Sequence, residues 1–195
     1  AYYRKNDTEN ALSAFQNGIS VINSESDPAI VSDFYAVMGD LLHQKGLDKE
    51  AYAAYDSCLQ WKDDNYGCLN NYAYYLSEQG KELDKAEKMS FRAIKAEPEN
   101  ATYLDTYAWI LFMQGRYNEA KIYIDQTLKY DSDSSSVLLE HAGDIYYKAG
   151  DVNKAVAFWK KALDALTTAD NTDASATERR PVLIRKIKLK KYLKE

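Results

Sequence analysis

The stretch ILFMQGRYNEA, residues 110–120, has three counterparts in the same chain: LLHQKGLDKEA (41–51), YLSEQGKELDKA (75–86) and IYYKAGDVNKA (145–155). Each passes from apolar and aromatic residues through a glycine (Gly46, Gly80, Gly115, Gly150) and a short polar run to an alanine (Ala51, Ala86, Ala120, Ala155). A small residue stands just before each stretch, at Gly39, Ala73, Ala108 and Gly143, 34 to 35 residues apart. A period of that length fixes the fold class before any local argument does, because each unit buries its apolar face only against its neighbours.

Each element of the repeat has a mechanical reading. The glycine, placed just past a helical pattern, suits a left-handed cap that residues with a Cβ adopt only at a cost. Asp48, Asp84, Asn118 and Asn153 are expected to cap the N-termini of the helices that run back. The small residues on both helices allow two antiparallel helices to approach at the short end of the roughly 8–10 Å range. Large residues then fill the core from one face of each first helix: Tyr35, Met38 and Leu42; Leu69, Tyr72 and Leu76; Leu104, Tyr107 and Leu111; Leu139, Ala142 and Tyr146. In the second helices Tyr55, Ile124 and Trp159, then Cys58, Ala93, Thr127 and Ala162, complete the stripe.

With these residues in place the chain resembles the tetratricopeptide repeat, whose pattern is aromatic-x-x-Leu-Gly-x-x-Tyr, then Ala-x-x-x-Phe, then Pro. The resemblance implies an all-α, right-handed superhelical solenoid of antiparallel helix pairs over residues 1–195. Four full repeats cover 32–168, a partial N-terminal repeat covers 1–27 with Ala11 and Phe15 in register, and a basic C-terminal helix at 178–195 caps the array. Three departures stand out: Ser90 replaces an expected aromatic, only Pro98 supplies the closing proline, and GKELDKA carries one extra residue. The partial first repeat lacks most of its first helix, so the array is expected to continue upstream. The tyrosine-rich wording NNYAYYLS and YLDTYAWILF is similar to tetratricopeptide proteins of Bacteroidetes-type bacteria, some of them exported lipoproteins.

Composition narrows the function classes. The 195 residues are 46% hydrophobic with a net charge of −5, and 17 tyrosines against three prolines favour packed helices. No apolar run approaches the roughly 20 residues of a membrane helix. Residues 178–195 hold eight Lys or Arg against two Glu, so a strongly basic tail follows an acidic body. The segment DALTTADNTDASATE (164–178) reads as a helix end and a polar linker, and Pro181 is expected in the first turn of the final helix.

No catalytic constellation is legible, and no metal or cofactor is expected. His43 and His141 lack metal-ligand spacing and read as packing or surface residues. DSDSSSVLLEHA (131–142) imitates a calcium loop but puts Ser136 where glycine and Ala142 where a bidentate glutamate are needed, so it reads as a turn. Cys58 and Cys68, ten residues apart, leave two readings: separate buried thiols, or a disulfide stapling one repeat to the next.

In this family the inward faces of the first helices line a peptide-binding groove. Carried over, the resemblance places Asp33, Asp40, Asn70, Asn71, Tyr74, Asp105, Trp109, Phe112, Glu140, Asp144 and Tyr147 there. Such a groove is acidic at its rim and aromatic at its centre. It is no carboxylate clamp: Asn71 fits that pattern, but Ala36, Asp105 and Glu140 stand where basic residues are required. It suits a protein or peptide partner that is basic, with an aromatic or aliphatic anchor. The basic tail has three readings: a capping helix, an electrostatic patch, or a ligand for the acidic groove that would inhibit the chain or make it self-associate. The acidic body argues against a nucleic-acid partner. The chain therefore reads as a non-enzymatic interaction scaffold, its rival being a passive structural segment of a longer repeat protein.

Overall fold

The computed structural model describes residues 8–130, 135–168 and 174–193, and every regular element among them is an α-helix. The chain divides into two compact units, Ala1–Tyr75 and Leu76–Glu195. The first holds α1 (Thr8–Ile19), α2 (Pro28–Gln44), α3 (Asp48–Trp61) and most of α4 (Tyr66–Glu78). The second holds the end of α4 with α5 (Leu83–Ala96), α6 (Ala101–Met113), α7 (Tyr117–Tyr130), α8 (Ser136–Lys148), α9 (Val152–Thr168) and α10 (Ala174–Leu189). The all-α tetratricopeptide architecture expected from the repeat is present. Among the described residues no helix is long and apolar enough to cross a membrane.

The four repeat glycines take the predicted role. Gly46, Gly80, Gly115 and Gly150 have φ of +72°, +63°, +79° and +97°, and the amide one residue further on reaches back five residues in each copy. Leu47 donates to Leu42, Lys81 to Leu76, Arg116 to Leu111 and Asp151 to Tyr146, at 2.9–3.0 Å. This hydrogen-bond pattern satisfies the last carbonyls of each first helix. It also starts the returning helix at once, and that corrects the capping expectation. Asp48 opens α3 behind an N-cap at Leu47, and Asp84, Asn118 and Asn153 are already second residues of their helices. In α9 it is Asp151 whose carboxylate accepts, from Lys154 N at 3.0 Å.

The extra residue in GKELDKA is absorbed at Glu82, whose φ of +44° makes it a left-handed N-cap without a side-chain hydrogen bond. Residues with a Cβ enter that region at a cost. Glu82→Gly is expected to raise the unfolding free energy by about 0.5–1 kcal/mol, measured by urea denaturation.

The small residues mark where an aromatic ring lies across the partner helix. A Cβ on Gly39 would overlap the Tyr55 ring, and one on Gly143 would overlap Cδ1 and Nε1 of Trp159. Where the second helix offers Ser90 or Ile124 at that register, the first carries Ala73 or Ala108 instead. Tyr55, Ile124, Trp159, Cys58, Ala93 and Ala162 are all fully buried, as are Ser90 and Thr127. Of the first-helix core, Tyr35 and Met38 are only half-buried, and Leu41, which the stripe omitted, is buried beside Leu42.

The C-terminus departs from expectation. α10 begins at Ala174 rather than beyond residue 178, so Pro181 lies inside the helix. The helix stops at Leu189 because Lys190 turns left-handed (φ +48°) and Lys191 N donates to Lys186 O at 3.1 Å. Leu183 and Ile187 therefore face the core while Ile184 and Leu189 stay exposed, and Tyr192 is brought back from beyond the helix.

Candidate functional site

The inward residues named from the sequence fall into the two units and are described in each. In the first, Asp33 is exposed and accepts from Asn65 Nδ2 at 2.9 Å. Asp40 accepts from Tyr55 Oη at 2.6 Å and from Asn71 Nδ2 at 3.1 Å. Burial pushes the Asp40 carboxyl up, although the hydrogen bonds from Tyr55 and Asn71 oppose it. Asn70 is buried and donates to Asn71 Oδ1 at 3.3 Å. Tyr74 is half-buried, edge-on to Tyr75, and the Tyr75 ring stacks on His43 at 3.7 Å.

The second unit brings acid and aromatic groups together. Trp109 Nε1 donates to Glu78 Oε1 at 2.8 Å, and its indole stacks on Phe112 at 4.7 Å and on His141 at 4.1 Å. His141 Nδ1 lies 3.0 Å from Asp105 Oδ2. Burial disfavours the imidazolium, but the Asp105 carboxylate outweighs it and raises the His141 pKa above its ordinary 6.5. A raised pKa means that the folded chain holds the proton more tightly, so this contribution is present below pH 6.5 and is lost as pH rises through the raised value. Asp105→Asn is expected to flatten the decline in stability above pH 6.5 that this histidine causes, checked by urea denaturation at a series of pH values.

Glu140 and Asp144 are buried, at 5% and 3% exposure, beneath α10. Arg179 donates through Nη2 and Nε to Glu140 Oε2 at 2.7 and 3.0 Å, and through Nη1 to Ser136 Oγ at 3.2 Å. Lys186, 1% exposed, donates at 2.8 Å both to Glu140 Oε1 and to Asp144 Oδ2. The other Asp144 oxygen accepts from Trp159 Nε1 at 2.8 Å, the same 15-residue register as Asp40 and Tyr55. Burial pushes Asp144 up to about 6 against the pull of Lys186. Burial acts likewise on Glu140, but Lys186 and Arg179 prevail and hold it below the usual carboxylate range. Lys186 is raised, its two carboxylates overcoming its own burial. Phe112 is 4% exposed, with Tyr192 packed edge-on at 5.6 Å, and Tyr147 lies tilted against Trp159 at 5.8 Å.

The repeat register missed two features. First, these carboxylates are paired with the next first helix: Asp40 with Asn71, Glu78 with Trp109, and Asp105 with His141, each roughly one repeat apart. That one-period separation was the signal available in the sequence. Second, Arg179, Lys186 and Tyr192 of the tail join the face of α6 and α8, while α10 also packs along α9, where Arg180 donates to Leu166 O at 3.3 Å.

Cys58 and Cys68 are both buried and free. The Cys68 thiol donates to Tyr55 O at 3.8 Å, and the two neighbouring thiols push each other's pKa apart, Cys58 lowered beside Cys68 and Cys68 raised beside Cys58. Ser32 Oγ lies 3.2 Å from Cys58 Sγ. Among the described residues no group of three or more His, Cys, Asp or Glu side chains is placed to hold a metal ion.

Comparison with known proteins agrees with the fold. Residues 32–65 match the family model described as tetratricopeptide repeat. No curated protein matches the chain in sequence. Among solved structures the chain is similar to PilW, described as a widely conserved type IV pilus biogenesis factor, with a TM-score of 0.72 and 16% identity over 96% of this chain and 83% of that one. It is similar to a thermophilic TPR protein of Thermus thermophilus, with a TM-score of 0.69 and 15% identity over 94% and 93%. It is also similar to pilF of Pseudomonas aeruginosa, with a TM-score of 0.66 and 18% identity over 96% and 84%. Residues 32–65 thus match a tetratricopeptide repeat by sequence, and the chain around them has the fold of tetratricopeptide repeat proteins.

Proposed function

We propose that the chain is a non-enzymatic protein–protein interaction scaffold, and that the acidic, aromatic inner face of α6 and α8 takes a basic segment with an aromatic or aliphatic anchor. One observation carries this reading: the chain lays its own arginine, lysine and tyrosine, Arg179, Lys186 and Tyr192, on that face. Cations gain on carboxylates and on ring faces together, and aromatic residues anchor interfaces. Trp109, half-buried on α6, is the anchor site offered to a partner.

A second reading, a passive structural segment, is favoured by the pairing of Asp40, Glu78 and Asp105 within the fold. Pull-down from an extract of the source cells separates the two, using the wild-type chain, Trp109→Ala, and Ile122→Ala as a control on the exposed side of α7. Proteins retained by the wild type and the control but lost by Trp109→Ala, with circular dichroism showing all three folded, support the binding face. Equal recovery by all three supports the passive segment.

A further inference from the structure

We infer that α10 is a displaceable occupant of the α6–α8 face, and that the partner of this face is a basic helix from another polypeptide built like α10. Its pattern is an arginine, a lysine seven residues on, and an aromatic six residues after that, as in Arg179, Lys186 and Tyr192. The inference rests on the reading of that face as a binding surface.

Three observations make α10 removable. Its polar hold is large: Arg179 and Lys186 satisfy Glu140, Asp144 and Ser136 with bonds of 2.7 to 3.2 Å. Buried ion pairs contribute little net stability, because both sides recover hydration when they part. Its apolar hold is thin: Leu183 is fully buried, whereas Val182 and Ile187 are only half-buried and Ile184 and Leu189 are 49% and 55% exposed. By contrast α8 buries Leu138, Leu139, Ala142, Ile145 and Tyr146. Third, Pro181 sits inside α10. It has no N–H to give to the preceding turn, which removes a helical hydrogen bond.

The same geometry defines the competitor. Glu140 and Asp144 need two cationic heads one face apart, and Phe112 needs an aromatic edge where Tyr192 now packs. A helix lacking the lysine would leave the buried Asp144 without a cation, and one lacking the arginine would leave Glu140 with the shared lysine alone, so the face discriminates against both. As a tethered occupant, α10 lowers the apparent affinity for that partner in proportion to the fraction of chains in which it is docked.

The test uses the full chain and two measurements. Hydrogen exchange on the wild type is expected to show the α10 amides opening at least tenfold more readily than those of α8. Exchange of α10 in step with α8 would make it a permanent part of the core and overturn the inference. In the second, a fluorescein-labelled peptide of residues 174–195 is titrated into the wild-type chain and into Arg179→Glu/Lys186→Glu, followed by anisotropy. Binding to the double variant at least tenfold tighter than to wild type, and lost when the peptide itself carries both substitutions, supports the inference. Equal binding to both chains, or none to either, overturns it. Where circular dichroism shows the double variant unfolded, the exchange measurement decides alone. If α10 exchanges with α8 while Trp109→Ala still loses its captured proteins, the displaceable occupant fails and the binding face stands. If Trp109→Ala loses none, both fall.

Discussion

Trp159→Ala is expected to cost about 3–5 kcal/mol of unfolding free energy. The indole is fully buried, lies across Gly143, and donates to the buried Asp144. Removing it leaves a cavity and an unpaired acceptor together. Gly143→Ala alone is expected to cost about 1–3 kcal/mol, because its Cβ would stand inside the ring and the helices would have to part. Combined, the two changes relieve each other, since the new methyl group enters the space the ring has left. The coupling is expected to reach about 1–3 kcal/mol. Urea denaturation of the four proteins at one pH measures it, and strictly additive losses would show that the ring does not dictate the glycine.

Lys186→Met has the second large effect, and it falls on α10 rather than on the whole fold. Breaking a buried charge cluster by removing one partner costs about 3–5 kcal/mol, because the groups left behind stay uncompensated. Here Glu140 and Asp144 would face each other with Arg179 as their remaining cation. The docking equilibrium of α10 should then fall by a hundredfold or more, since each ~1.4 kcal/mol is a factor of ten. Hydrogen exchange reads this as unprotected α10 amides beside protected α8 and α9 amides. Acidification should partly reverse it. Asp144, already pushed up to about 6, rises further without the lysine, and once protonated it needs no counter-charge. A variant whose α10 stays protected at neutral pH would place the hold elsewhere, in Leu183.

How far the sequence could be read follows from which residues act within one repeat. The glycine, the alanine and the aromatic four residues after it act locally, so Gly46, Ala51 and Tyr55 were legible, and most of the core followed, although Tyr35 and Met38 are only half-buried and Leu41 was missed. The helix starts were not. Asp48 and Asn153 look like caps, but the hydrogen-bonded turn after each glycine begins the next helix so early that the cap falls one or two residues before them, at Leu47 and Asp151. The start of α10 was hidden for a different reason. Its polar opening argues for a linker and Pro181 for a first helical turn, and packing of Leu183 with the ion cluster overrides both. The groove residues were named by repeat position. Which of them are already paired depends on the next helix along, and for Glu140 and Asp144 on Lys186 some 40 residues downstream. Asp144 illustrates both limits: its bond to Trp159 repeats that of Asp40 to Tyr55 and could be read by register, whereas its burial by Lys186 could not.

The most direct test of the binding face is competition. Proteins captured from an extract of the source cells by the immobilised wild-type chain are challenged with the peptide of residues 174–195 and, separately, with the same peptide carrying Arg179→Glu and Lys186→Glu. Release by the first peptide and retention under the second is the expected result. Proteins that stay bound under both, or leave equally under both, would contradict a partner held on the acidic, aromatic face of α6 and α8.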